Sequence, residues 1–180
     1  VVDEHWGVRV ADPYRALEDM DDPATQAWFK AQGEYARATL DKIPGRAELL
    51  ERLKEFDAGR PYRVFSITRL ANGQVFYLKL MAQANLARLC VRDGLEGKER
   101  VLFDPSALKA ADGGHVSIGF YTPSPDGKRV LYGLAPSGSE ETTLHILDVA
   151  TGKDLPETID RLEDAYTPPL WLADGESFVY

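Results

Sequence analysis

Asn72-Gly73-Gln74-Val75-Phe76-Tyr77 is the stretch whose reading decides the fold. Two later stretches repeat it: Asp126-Gly127-Lys128-Arg129-Val130-Leu131-Tyr132 and Asp174-Gly175-Glu176-Ser177-Phe178-Val179-Tyr180. In each, a pair that favours positive φ turns the chain directly into an apolar strand ending in tyrosine. The three glycines stand 54 and 48 residues apart. Other turns interleave with them, Asp93-Gly94 after the strand-like run 86–92 and Thr151-Gly152 after the run 143–149. Each period of about 50 residues thus holds roughly four strands joined by hairpin turns, the pattern of a β-propeller blade. Residues 62–110 read as a first blade, 111–163 as a second and 164–180 as the start of a third. A closed propeller takes roughly four blades or more, and a blade exposes a flank that must stack on a neighbour. The expectation from residues 62–180 is therefore an all-β, partial propeller, a portion of a larger ring.

Upstream the period changes from strand-like to helical. Asp22 is a good N-cap, Pro23 suits the first helical position, and Ala24, Trp28, Ala31, Tyr35 and Ala38 recur at three- and four-residue steps. Gly33 costs this helix about 1 kcal/mol relative to alanine, which burial of Trp28 and Tyr35 is expected to offset. A second helix is predicted from about Arg46 to Phe56, striped by Leu49, Leu50, Leu53 and Phe56, after the Ile43-Pro44-Gly45 turn. Gly59 and Pro61 punctuate the chain before the strands begin. Residues 1–61 are therefore expected to be an N-terminal helical segment.

The composition fits a globular protein: 180 residues, 44% hydrophobic and 28% charged, which excludes collagen, coiled coil and simple disorder. Acidic residues outnumber basic ones, 29 to 21, with no concentrated basic face, so nucleic acid is not an expected partner. No apolar run approaches the roughly 20 residues of a membrane-spanning helix, and no membrane partner is expected. The single Cys90 has no internal disulfide partner and reads as a small core hydrophobe. The acidic run Glu18-Asp19-Met20-Asp21-Asp22 matches no calcium loop; it reads as carboxylates placed at the positive end of the following helix. The unpaired cysteine and the lack of a visible export signal favour the cytoplasm. The chain begins at Val1-Val2 without a methionine, so a trimmed signal and a periplasmic location stay open.

Chemistry-bearing residues are sparse. His5, His115 and His145 form no HExxH, HxH or Cys/His cluster, so no metal is expected. There is no phosphate-binding GxxxxGK[ST] or GxGxxG, and no cofactor is expected. A serine-hydrolase elbow would read Gly-x-Ser-x-Gly; Ser139, in Ser137-Gly138-Ser139-Glu140, comes nearest but reads as a hairpin loop. Asp12, Arg15, Glu18 and Asp19 look like candidate catalytic charges, yet Asp-Pro before an aromatic is a turn signal and Arg15 is placed to bond carboxylates or helix ends. No catalytic, metal, cofactor or substrate residue is assigned in this chain on this reading.

Asp3-Glu4-His5-Trp6-Gly7, Val10-Ala11-Asp12-Pro13-Tyr14-Arg15, Leu17-Glu18-Asp19, then Trp28 and Gln32, closely resemble the N-terminal segment of the prolyl oligopeptidase family of serine peptidases. The similarity continues through Asp104-Pro105, Ser124-Pro125-Asp126-Gly127-Lys128, Ser137-Gly138-Ser139-Glu140, Asp148 to Pro156, and Trp171-Leu172-Ala173-Asp174-Gly175. The resemblance implies a parent in which a seven-bladed propeller caps an α/β-hydrolase domain, with the N-terminal segment packed on the hydrolase. It implies a Ser, Asp and His in the C-terminal half that cleave short peptides after proline, outside this chain, while the propeller restricts access. Cleavage after basic residues by a relative of the same architecture, and a non-enzymatic propeller interaction module, are the competing readings.

Three positions depart from the family pattern. Ala16 stands where tryptophan is usual, and Gln32-Gly33 where Gln-Asn is usual. Between Arg161 and Trp171 the family has a shorter connection with an aromatic near the substrate pocket, and Tyr166 is not assigned that role.

Overall fold

The computed structural model describes residues 1–163 and 168–180. The chain divides into two compact units, Val1–Phe56 and Asp57–Tyr180.

The first unit opens with a hairpin, β1 (Val2–His5) against β2 (Val8–Ala11), in a segment expected from the sequence to be helical. Its turn consists of Trp6 and Gly7, at φ 50° and 79°. Both central residues of such a two-residue turn need positive φ, which glycine adopts freely and tryptophan rarely, so the pair does not announce itself as a turn. The hairpin leads into a 3-10 turn at Arg15–Glu18 and then into α1 (Pro23–Leu40). Asp22 caps α1 as expected, accepting from the amides of Ala24 and Thr25 at 3.3 Å each. The Thr25 hydroxyl donates to the Ala16 carbonyl at 3.0 Å and ties α1 to the preceding turn. After Gly45 the chain forms α2 (Arg46–Ala58).

The expected burial of the helical stripes is not found. Trp28 is 44% exposed and Tyr35 71%, and Thr25 is the buried residue of α1. In α2, Leu49, Leu50, Leu53 and Phe56 are all exposed and no residue is buried. An amphipathic period records that a face is apolar; what covers it is set by tertiary partners that the period does not encode. The offset proposed for Gly33 therefore does not come from burial within this unit.

The second unit is built from antiparallel sheets in chain order. The first sheet runs β3 (Tyr62–Arg69), β4 (Gln74–Met81), β5 (Arg88–Asp93) and β6 (Arg100–Phe103). The second runs β7 (Val116–Pro123), β8 (Arg129–Pro136), β9 (Glu141–Asp148) and β10 (Lys153–Glu163). A short pair, β11 (Leu170–Trp171) and β12 (Phe178–Val179), follows. The repeated turns fall at the same place in each sheet, between its first and second strands, with Gly73, Gly127 and Gly175 at φ 93°, 72° and 67°.

Sheets stack face to face. Phe76, Leu78, Leu89, Val91 and Leu102 of the first sheet pack against Val130, Tyr132, Leu147 and Val149 of the second. The far face of the second sheet, with Phe120, Leu131 and Leu144, takes Trp171 and Phe178 of the third pair. The Trp171 indole N–H donates to the Thr122 carbonyl at 2.9 Å. Each fully buried large apolar side chain contributes about 1.5–3 kcal/mol, so these stacked faces dominate the unit's stability. The result is a helix-bearing N-terminal segment followed by a partial β-propeller of two four-stranded blades and the beginning of a third.

Candidate functional site

Of the chemistry-bearing residues named from the sequence, the histidines, Ser139 and Cys90 fall on different elements, whereas Asp12, Arg15 and Glu18 come together. His5 ends β1 beside the hairpin turn, and His115 precedes β7; both are exposed. Ser139 sits in the exposed loop between β8 and β9, its amide donating to Pro136 O at 2.8 Å and its hydroxyl oxygen accepting from Glu141 N at 3.0 Å. Cys90 is fully buried in β5, and burial pushes its thiol up to about 11, which leaves it a neutral core group near pH 7. In the acidic run, Asp22 caps α1 and Asp19 accepts from the Asp21 amide at 3.1 Å. Tyr166 falls outside the described residues. Among the described residues, no group of three His, Cys, Asp or Glu side chains is placed to hold a metal ion. No described helix is long and apolar enough to cross a membrane.

Arg15 is the centre of a clasp. Its guanidinium donates to Asp3 at 2.6 Å and Asp12 at 2.9 Å and lies 3.5 Å from Glu18. Asp12 also accepts from the Tyr14 amide at 3.0 Å. The bond from Arg15, with that from Tyr14, holds the Asp12 carboxyl below the ordinary carboxylate range. These charges fasten the β1–β2 hairpin to the 3-10 turn.

A polar constellation with a cavity beside it lies on the first sheet. Tyr77 on β4 reaches across Cys90 on β5 and donates to Glu99, just before β6, at 2.6 Å. Lys79 donates to the same carboxylate at 2.8 and 3.0 Å, and Arg92 stands 3.6 Å from it while its Nε donates to the Tyr77 oxygen at 3.1 Å. Burial opposes ionisation of Glu99, but the bonds from Lys79 and Tyr77 outweigh it and its pKa lies below the usual value. Burial and then the Glu99 bond push the Tyr77 phenol up to about 12. Lys79 also sits 4.4 Å from the centre of the Tyr62 ring. Tyr62, Val64, Ile67 and Leu95, all exposed, complete a cavity of about 210 Å³ over this cluster. Its lining combines apolar side chains with one anion, Glu99, and one cation, Arg92.

The second sheet repeats the device. Tyr132 on β8, opposite His145 on β9, donates to Asp154 on β10 at 2.8 Å, as Tyr77, opposite Cys90, donates to Glu99. In both sheets the tyrosine and its carboxylate are 22 residues apart. His145 Nδ1 lies 3.8 Å from Asp154, and its ring stacks on Tyr132 with centroids 5.3 Å apart. Here the face is closed, with the Phe103 ring of the first sheet 4.7 Å from Tyr132. Both tyrosines stand out in the sequence as strand ends, whereas their carboxylate partners are marked there only by the recurring 22-residue spacing.

The family model described as "Prolyl oligopeptidase, N-terminal beta-propeller domain" matches residues 1–180. The chain belongs to the prolyl oligopeptidase family. Within the family it is 30% identical to the prolyl endopeptidases of Elizabethkingia meningoseptica and Elizabethkingia miricola, over 99% of this chain and 24% of each relative. A solved structure from a study of two prolyl endopeptidases and their inter-domain dynamics superposes with a TM-score of 0.80 at 38% identity, over 99% of this chain and 25% of that one. Prolyl oligopeptidase B from Galerina marginata, solved with a 35mer hydrolysis and macrocyclization substrate, shares the fold with a TM-score of 0.69 at 24% identity, over 96% of this chain and 26% of that one. The chain thus spans about a quarter of the length of these prolyl oligopeptidase relatives.

Proposed function

We propose that this chain is the N-terminal part of a prolyl oligopeptidase-like serine endopeptidase that hydrolyses short peptides after proline. The observation that carries the reading is the match of the whole chain to the family's N-terminal propeller model, together with prolyl endopeptidase relatives about four times as long. In this reading the serine, histidine and aspartate are encoded outside residues 1–180, in an α/β-hydrolase domain capped by a seven-bladed propeller, so the chain alone is inactive. Residues 1–61 pack on that domain, and the exposed Trp28, Phe29, Leu49, Leu53 and Phe56 are the side chains that such packing would cover. Residues 62–110 and 111–163 serve as the first two blades and 164–180 as the start of the third. The propeller acts by steric selection, admitting short peptides and excluding folded proteins. The unpaired Cys90 favours the reducing cytoplasm, with a periplasmic location as the alternative.

The test is hydrolysis by the full-length protein of matched fluorogenic peptides carrying proline or arginine at the cleaved position, each also offered within a folded protein. Cleavage after proline in the short peptide alone, with labelling by a serine-directed phosphonate, is the expected result. Preference for arginine would move the protein to the basic-residue branch, and no hydrolysis with no labelling would leave an interaction module.

A further inference from the structure

The turn Asn72-Gly73 does more than join β3 to β4. The Asn72 carboxamide oxygen accepts from the Gln74 amide at 3.0 Å, and its nitrogen donates to Gln74 Oε1 at 2.8 Å and, across to the second sheet, to the Asp126 carbonyl at 3.1 Å. The corresponding turns carry aspartate. Asp126 accepts from the Lys128 amide at 3.0 Å, and Asp174 from the Glu176 amide at 2.9 Å. A carboxylate therefore suffices to make this turn. What the amide of Asn72 adds is the donor that crosses between sheets. Gly127 faces it closely enough that a methyl group there would overlap the Gln74 carboxamide, so the two turns are seated against each other.

Asparagine followed by glycine is also the dipeptide in which the next amide nitrogen meets least hindrance on its way to the side-chain carbonyl. We propose that Asn72 is a site of spontaneous deamidation gated by the fold, and that conversion unfastens the two sheets at this end. The Gly73 amide nitrogen, having lost its proton to solvent base, bonds to Asn72 Cγ. The Cγ–Nδ2 bond breaks, and Nδ2 takes up a proton and leaves as ammonia. Water then opens the succinimide at either carbonyl, giving aspartate or isoaspartate, with no change of oxidation state. In the closed turn the Gly73 N–H donates to Leu70 O at 3.0 Å, and the leaving nitrogen is held by two acceptors. Reaction therefore waits on opening of the hairpin. The product has no donor for position 72 to offer, and it turns a negative charge toward the Asp126 carbonyl, which can only accept; the Gln74 carboxamide meets the carboxylate only by turning its nitrogen toward it, and no bond to the second sheet is regained. Isoaspartate adds a backbone carbon to a tight turn and shifts its register.

The experiment is ageing of the full-length protein at mildly alkaline pH, folded and urea-unfolded, with conversion at position 72 followed by peptide mapping. Conversion at least ~tenfold slower in the folded protein is expected. Hydrogen exchange of an Asn72→Asp variant supplies the second measurement, with faster exchange expected at the amides around Asp126–Arg129 than in the parent. Equal conversion folded and unfolded, conversion in neither, or unchanged exchange in Asn72→Asp would each overturn the proposal.

Discussion

The two faces of the first blade differ in a way that the repeat makes measurable. One face meets the second blade through a dry joint in which Leu147 is 1% exposed and Tyr132 fully buried. The other presents Lys79, Arg92 and Glu99 around Tyr77, beneath exposed Tyr62 and Ile67. Register makes the positions equivalent: Arg92 pairs with Val75 as Leu147 pairs with Val130, and Lys79 lies two residues beyond Tyr77 as Leu134 lies two beyond Tyr132. Both blades keep the tyrosine-to-carboxylate bond, so that bond belongs to the blade itself. The residues around it differ with what the face meets. Where a sheet covers the tyrosine they are leucines; where no sheet among the described residues covers it they are cations sharing one carboxylate.

The sharpest way to break this comparison is to exchange the equivalents. Leu147→Arg would place a charge without a partner in the dry joint, and the expected loss is about 3–5 kcal/mol in urea unfolding of the protein, the range seen when a buried charge is left uncompensated. The reciprocal Arg92→Leu removes the bonds to Tyr77 and the Leu95 carbonyl and the ion pair with Glu99, on a face partly open to solvent, and should cost about 1–2 kcal/mol. Similar losses for the two would mean that the faces are not physically different.

Much of this contrast was hidden in the sequence, for identifiable reasons. The turns at Gly73, Gly127 and Gly175 were legible because a two-residue hairpin needs positive φ and few residues supply it. Asp22-Pro23 was legible because an N-cap and a first-turn proline act locally. The Trp6-Gly7 turn was not, because tryptophan at positive φ has no local signature. Exposure of Trp28 and Tyr35 was not either, since an apolar stripe carries no record of its partner. The Tyr77 and Tyr132 pairs escaped because each reaches from the second strand past the third, to Asp154 on the fourth strand or to Glu99 just before it, and because one acid is a glutamate and the other an aspartate.

An effect well below that of Leu147→Arg separates the carboxylate's role from that of its neighbours. Glu99→Gln keeps the shape but leaves Lys79 and Arg92 with no anion on a part-buried face, and a loss of about 1–2 kcal/mol is expected. The loss should shrink as salt rises, because the liberated cations are partly open to solvent. The sign with pH follows from the depressed pKa: the contribution of Glu99 is present above its unfolded value, near ~4.3, and fades as pH falls through the lower folded value. The Gln variant and the parent should therefore converge in acid. A gap that persists there would assign the loss to packing.

The smallest expected signal is spectroscopic, and it tests whether Tyr77 is held as its surroundings require. Its folded pKa is about 12 against an ordinary value near ~10, so its contribution to stability is complete below pH ~10 and is lost as pH rises toward 12. Among eight tyrosines, exposed ones such as Tyr14 and Tyr35 ionise first. Subtracting the alkaline absorbance titration of Tyr77→Phe from that of the parent should isolate one phenol that ionises about two pH units late. Replacing Glu99 by glutamine should bring that phenol earlier, because the anion that opposes its ionisation is gone, while the burial that is the larger cause remains. A Tyr77 that titrates with the exposed group would show that the flank is wetter than its buried tyrosine implies, and the contrast with the Tyr132 joint would then rest on the leucines alone.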